Sequence, residues 1–183
     1  LKYRTILADP PWPVDFKSTL GQGRKDQYPT MTVEDIKNLP VAEYADKECS
    51  LFIWTTHTFL PVTFEIIKGW GFKYHITLTW NKGSGLTCFG FHRCSELCLY
   101  AYKGKMNIKQ NGTAMKTILR SIPDFFDENA TIHSRKPVVF YRILERSTET
   151  PRLELFARNK RAGWDVFGNE VESDIQLIGE KVL

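Results

Sequence analysis

An α/β fold with a largely parallel sheet is the architecture this sequence predicts, and three observations predict it. Short apolar runs of strand length (Tyr3–Ala8, Ser50–Thr55, Leu153–Phe156) are continuous rather than alternating, as in strands buried on both faces. Segments with helix start and stop signals stand between them. No repeat, low-complexity tract or linker divides the 183 residues, so residues 1–183 are read as one domain.

The first strand, Tyr3–Ala8, runs into Asp9-Pro10-Pro11-Trp12. Prolines lack the N–H that a ladder needs, so the strand ends there. Ligands in open α/β sheets bind outside the carboxyl ends of the strands, which places Asp9 for chemistry. Residues 13–30 form a polar, glycine-bearing loop of functional length. Thr32-Val-Glu-Asp35 is a capping-box pattern with Asp in place of Glu, opening a helix to Asn38 before Pro40. Ser50–Thr55 is the second strand. Pro61 fits the first turn of a helix to about Lys68, with Gly69 and Gly71 after it. Tyr74–Trp80 reads as a third strand closed by Asn81-Lys82-Gly83, and Gly83, Gly85 and Gly90 mark a loop. Glu96–Tyr102 is a fourth strand. Residues 105–131 lack a period and carry Lys105, Lys109, Lys116 and Arg120, either as a solvated excursion or as a polyanion contact. Pro137 opens a helix to about Arg146. Leu153–Phe156 and Trp164–Phe167 are the last strands, and Gly168-Asn169-Glu170 follows them.

Composition narrows the function classes. With 42% hydrophobic and 25% charged residues the chain is an ordinary globular protein, and no apolar run has the length of a membrane span. No signal peptide opens it. The first residue is Leu1 rather than Met, so upstream residues are expected to lie outside this stretch. Cys49, Cys88, Cys94 and Cys98 show no CxxC spacing, and four histidines are scattered. Reduced thiols in the cytoplasm (or the nucleus of a eukaryote) and no metal site follow. A net charge of +4 permits a polyanionic partner without demanding one.

The Asp-Pro-Pro-Trp run suits transfer chemistry on an aromatic amine. The lone pair of adenine's exocyclic amine is delocalised into the ring, and accepting hydrogen bonds from both N–H groups restores nucleophilicity. Asp9 offers a carboxylate and Pro10 a carbonyl for those bonds, while Trp12 offers a ring to stack on the base. No Cys–His or Ser–His arrangement requires a covalent nucleophile.

These residues resemble the Asp-Pro-Pro-Trp type adenine-N6 methyltransferases, the family of the eukaryotic mRNA adenosine methyltransferase catalytic subunit and of prokaryotic and phage DNA enzymes. Tyr28-Pro-Thr-Met31 resembles the family's Tyr-x-Thr-Met, and Trp80-Asn-Lys82 its Trp-x-Lys. Glu96 resembles the Glu before its apolar strand, and His133-Ser-Arg-Lys136-Pro137 its Ser/His-Lys-Pro. Glu154-Leu-Phe-Ala-Arg158, Trp164 and Gly168-Asn169-Glu170 resemble its closing cofactor motif. The blocks occur in family order over residues 3 to 170.

The resemblance implies a Rossmann-like methyltransferase fold, with a mostly parallel sheet flanked by helices, and S-adenosylmethionine as cofactor. It makes Tyr3–Ala8 and Leu153–Phe156 neighbouring strands, with Asp9 and Arg158 across one crevice. Catalytic roles fall on Asp9, Pro10, Pro11 and Trp12, and substrate contacts on Tyr28, Trp80, Lys82 and Glu96. Cofactor contacts fall on Asp9, Lys136, Phe156, Arg158, Asn169 and Glu170, with Lys136 neutralising the methionine carboxylate. Nucleic acid is the implied partner, DNA favoured over RNA, alongside a second copy or a related subunit. A catalytically silent, nucleic-acid-binding partner subunit is the competing reading, opposed by the retained Asp9, Lys136, Arg158 and Asn169. A nicotinamide oxidoreductase is disfavoured because no G-x-G-x-x-G follows the first strand.

Overall fold

The computed structural model describes residues 1–13, 29–88, 90–109, 118–120 and 136–177. Seven strands form one sheet in the order β5-β3-β4-β2-β1-β6-β7. They are β1 (Tyr3–Ala8), β2 (Ala45–Thr55), β3 (Lys73–Cys88), β4 (Phe91–Lys103), β5 (Ile118–Arg120), β6 (Arg152–Leu155) and β7 (Asp165–Phe167). β1 pairs in parallel with both β2 and β6, β6 with β7, and β3 with β5. β4 pairs antiparallel with β2 and β3, so it alone runs against the rest. The sheet is therefore mostly parallel, as the unbroken apolar runs require.

Alternate residues feed two apolar cores. Ile6, Ala8, Leu51, Ile53, Leu97 and Leu99 belong to one, which α1 (Val33–Lys37) and α3 (Leu60–Gly69) cover with Ile36, Ile66 and Ile67. Leu7, Phe52, Trp54, Trp80, Cys98 and Tyr100 belong to the other, covered by Phe140 and Leu144 of α4 (Val138–Ser147). This is a three-layer αβα arrangement. A short α2 (Val41–Tyr44), which no sequence signal announced, leads into β2.

Local chemistry sets the element ends. Thr32 and Asp35 form the capping box in both directions, starting α1. Pro61 lies in the first turn of α3, and Gly71 leaves that helix with φ of 80° while its N–H donates to the carbonyl of Lys68.

Two expectations need correction. Asn81-Lys82-Gly83 does not close the third strand, and Gly83 and Gly85 lie within it, while Gly90, with φ of 88°, stands at the turn into β4 as a loop glycine. β3 continues to Cys88 and forms a long hairpin with β4, pairing Leu86 with Arg93 and Cys88 with Phe91. Between Asn81 and Leu86 the register slips, five residue steps on β3 facing two on β4. Glycines weaken a strand in isolation, but here a bulge absorbs them and the partner strand carries the ladder. In the 105–131 stretch, β5 adds a short strand beside Thr79–Asn81, so that stretch is not all surface excursion. Lys109 is ion-paired with Glu149 at 3.1 Å, whereas Lys116 lies outside the described residues.

Candidate active site

Asp9 stands one residue beyond β1, where its N–H donates to the carbonyl of Leu155 at 3.4 Å. Parallel pairing of Ala8 with Leu155 brings the residues after both strands to one end of the sheet. Asp9 and the Phe156–Arg158 segment thus meet at adjoining strand ends, although nearly 150 positions separate them in sequence. The Pro-Pro segment is tied down on both sides. Trp12 N–H donates to Pro10 O at 2.9 Å, and Met31 N–H to Pro11 O at 2.9 Å. A carbonyl has two lone pairs, so Pro10 O keeps one for a further donor.

The side chain of Asp9 is half-buried and ion-paired through Oδ2 with Lys136 Nζ at 2.9 Å. Lys136, immediately before α4, also meets Glu96 Oε2 at 3.2 Å, and Lys82 meets Glu96 Oε1 at 2.7 Å. Lys136 lies over the Trp54 ring, 5.2 Å from its centroid, and Lys82 lies 5.4 Å from the Trp80 centroid. Burial pulls Lys136 towards neutrality, but the carboxylates of Asp9 and Glu96 outweigh it and hold its ammonium above the ordinary lysine value. Burial likewise raises Glu96, yet Lys136 and Lys82 outweigh it and hold its carboxyl below the ordinary value.

Two tryptophans are placed otherwise than expected. Trp12 is only 7% exposed; its ring stacks on Phe59 at 5.0 Å and its indole N–H donates to Trp54 O at 3.1 Å. It is a buried strut behind Asp9, because the core offers its ring more apolar contact than the crevice does. Trp80 is 8% exposed, edge-on to Trp54 at 6.0 Å. Neither presents an open face for a base. Tyr28, expected in the same wall, lies outside the described residues, as do His133, Ser134 and Arg135.

The residues expected to contact a cofactor lie at and after the ends of β6 and β7. Phe156 has φ of 64°, an unusual left-handed conformation for an aromatic residue, and it turns the chain sharply at the strand end. Ala157 N–H then donates to Phe167 O at 2.9 Å. Gly168 packs so closely on this segment that a Cβ would lie 2.1 Å from Ala157 O, so only glycine fits. Arg158 Nε meets Glu170 Oε1 at 3.6 Å, and Asn169 and Glu170 are exposed beside it.

Glu154 points to the α4 side, where it is buried and accepts from Tyr141 O–H at 2.7 Å. Burial raises its carboxyl above the ordinary value, against the Tyr141 hydrogen bond and Arg161. Arg161 lies 3.8 Å from the Tyr141 ring centroid. Sequence reading missed Trp54, the floor under Lys136, and Tyr141. The signal for Trp54 was its place at the end of an unbroken strand run, two residues after Phe52 on the same face. Tyr141 gave no signal beyond its helical position.

The donor and acceptor set suits a zwitterionic nucleoside cofactor. Lys136 and Asp9 offer opposite charges for an amino-acid end, and Arg158, Asn169 and Glu170 offer polar groups for a ribose and base. The close approach of Gly168 to the Ala157 backbone joins the ends of β6 and β7, from which Arg158, Asn169 and Glu170 extend. Among the described residues no group of three or more His, Cys, Asp or Glu could hold a metal ion. No described helix is long and apolar enough to cross a membrane.

Comparison with known proteins identifies the chain's relatives. A Mycoplasma protein named type II methyltransferase M.MunI is 28% identical over 93% of this chain and 78% of its own length. A Medicago truncatula protein named putative N(6)-adenosine-methyltransferase MT-A70-like is 27% identical over 98% of this chain. The human N(6)-adenosine-methyltransferase catalytic subunit METTL3 is 25% identical over 100% of it. The chain spans 28% and 30% of the length of those last two relatives. Residues 3–170 match the MT-A70 family, with Asp9-Pro-Pro-Trp12 at one end of the match and Gly168-Asn-Glu170 at the other, and the chain belongs to that family.

Proposed function

We propose that the chain transfers a methyl group from S-adenosylmethionine to N6 of adenine in nucleic acid, with DNA as the favoured acceptor. The observation that carries this reading is the parallel pairing of β1 with β6, which sets Asp9 beside the Phe156–Arg158 turn. Acceptor chemistry and cofactor chemistry need such adjacency, because methyl transfer is a direct in-line displacement. DNA is favoured because the core resembles the prokaryotic and phage group, and because the Mycoplasma type II methyltransferase is matched over most of its own length.

S-adenosylmethionine, when bound, supplies an electrophilic methyl group. Arg158, Asn169, Glu170 and the backbone around Phe156 hold its nucleoside end. The third N–H of Lys136 serves its carboxylate, because the other two face Asp9 and Glu96. Asp9 Oδ1 and the remaining lone pair of Pro10 O accept from the two N–H bonds of the target amine. They make the nitrogen more pyramidal and orient its lone pair. The nitrogen would take the methyl group as the methyl–sulfur bond of the sulfonium breaks and S-adenosylhomocysteine leaves, and would then lose one proton to solvent, so Asp9 need not act as a base. Trp12 keeps the Asp9 segment rigid from behind. Tyr28 is the remaining candidate for stacking on the base, with Lys82 and Trp80 behind the pocket wall.

The base must leave its stack to reach Asp9, at a cost of a few kcal/mol in a duplex. The decisive experiment offers labelled cofactor to duplex DNA, single-stranded DNA and RNA in parallel, with nucleoside analysis of the products. N6-methyladenine in DNA is expected. Methylation confined to RNA would overturn the acceptor preference, and a label on another base or position would overturn the chemistry.

A further inference from the structure

Glu96 was expected to line the acceptor pocket, yet both its oxygens are committed. Oε1 accepts from Lys82 at 2.7 Å and Oε2 from Lys136 at 3.2 Å. Lys136 in turn holds Asp9 Oδ2 at 2.9 Å. The groups therefore alternate in sign, Lys82, Glu96, Lys136, Asp9, along one end of the sheet. Their side chains come from β3, β4, the entry to α4 and the end of β1. Among the described residues nothing donates to Asp9 Oδ1.

A lysine is a point charge on a flexible stem, and one carboxylate alone would not decide which Asp9 oxygen it takes. Here three contacts confine the Lys136 ammonium: Asp9 on one side, Glu96 on another, and the Trp54 ring beneath. Lys82 satisfies the second oxygen of Glu96, so that Lys136 is shared rather than drawn away from Asp9. Of the other titratable groups buried near these charges, Cys98 and Tyr141 are held neutral because burial pushes both up, and Glu154, whose carboxyl burial also raises, is taken by the Tyr141 hydroxyl. Glu96 thus has three charged neighbours, Lys82 and Lys136 directly and Asp9 through Lys136.

We infer that Glu96 is a positioning residue, which through Lys136 occupies Asp9 Oδ2 and leaves Oδ1 turned towards the reacting amine. The inference rests on the reading of Asp9 as acceptor for that amine and deepens it. Neither methyl group nor proton passes through Glu96. Its work is geometric, and misplacing a reacting contact by about 1 Å costs on the order of 10²-fold in rate.

The test uses Glu96→Gln, Glu96→Asp and Lys82→Met. In E96Q, kcat should fall on the order of 10- to 100-fold, with affinity for S-adenosylmethionine and for DNA by calorimetry within about threefold of wild type. E96D should recover part of the loss. Lys82 is one of the two cations that hold Glu96 below the ordinary carboxylate value, so in K82M the acid limb of kcat against pH should move upward. A raised KM for nucleic acid with unchanged kcat in E96Q would mean that Glu96 touches the substrate, and would overturn the inference. Unchanged kcat in E96Q, or an unmoved acid limb in K82M, would overturn it as well. A crystal structure of E96Q reads the geometry without turnover: Lys136 should no longer be confined to Asp9 Oδ2 and should reach Oδ1 as well, and an unmoved Lys136–Oδ2 contact would refute the inference whatever the acceptor proves to be. Failure of the wild-type chain to methylate adenine would count against the functional reading, separately from that geometric result.

Discussion

Asp9 shows how much one carboxylate can be asked to do. Its Oδ2 is held by Lys136, and its other oxygen is the acceptor in the proposed reaction. Asp9→Ala should therefore cut turnover by about 10²–10³-fold, the usual loss for one preorganised polar contact, measured as kcat with labelled cofactor. Lys136 carries a different burden. Its side chain is 8% exposed and is the counter-ion of two half-buried carboxylates. Lys136→Met leaves both without that cation, and a loss of about 3–5 kcal/mol in urea unfolding is expected. A neutral outcome there would mean that water reaches the site freely. The tryptophans carry the opposite lesson. Trp12 read as a stacking surface in the sequence and Trp80 as a substrate contact, because a motif shows which ring is present but not which way it faces. Burial of both rings follows from the sheet's pleat and from Phe59 and Trp54, neighbours that are distant in the chain.

Among the elements, the strand–turn at β6 bears most on the proposed cofactor site. Phe156 turns in a left-handed conformation, and Gly168 closes on Ala157 from β7. Gly168→Ala would drive a methyl group into a backbone carbonyl, not into a yielding side chain. It should cost about 1–3 kcal/mol in thermal unfolding and weaken cofactor binding along with it. Wild-type cofactor affinity in that variant would show that the β6–β7 closure is not part of the pocket. The strands with continuous apolar runs, the capping box of α1 and the Pro137 start of α4 were legible because each is written in a few adjacent residues. The β3–β4 hairpin was not. Its glycines look like a loop unless the partner strand is known, and the bulge that accommodates them is a property of the pair. The juxtaposition of Asp9 with the Glu154–Arg158 block was legible only through the family resemblance, since no local pattern reveals which strands pair.

Across the whole molecule, the charge chain should shape stability against pH. Glu96 is held below its ordinary value of 4.5, so its contribution is full above that pH and is lost as pH falls through its lower folded value. Lys136 is held above 10.5, so its contribution is full below that pH and is lost as pH rises through its folded value. Glu154 opposes them: burial raises its carboxyl, so its contribution is present below 4.5 and is lost as pH rises through its folded value. Urea midpoints against pH should fall below about 4.5 and above about 10.5, and Glu96→Gln should flatten the acid limb. A limb unchanged in that variant would assign acid sensitivity elsewhere. Cofactor binding should add to stability as mass action requires. S-adenosylmethionine at 100 times its Kd should stabilise the fold by roughly 2.7 kcal/mol, read as a rise in Tm, and no rise at saturation would favour a silent partner subunit.

The pairing of β1 with β6 also sets a timetable for synthesis. β1 finds β2 within the first third of the chain, but its other edge has no partner until Arg152–Leu155 leaves the ribosome. At 5–20 residues per second that interval is on the order of ten seconds, and an open strand edge is then available to any neighbouring chain. A message cut short before β6 would yield a chain with its Asp-Pro-Pro-Trp segment but without the strand beside it, prone to aggregate. Assembly of this sheet thus waits on a strand made long after its first partners.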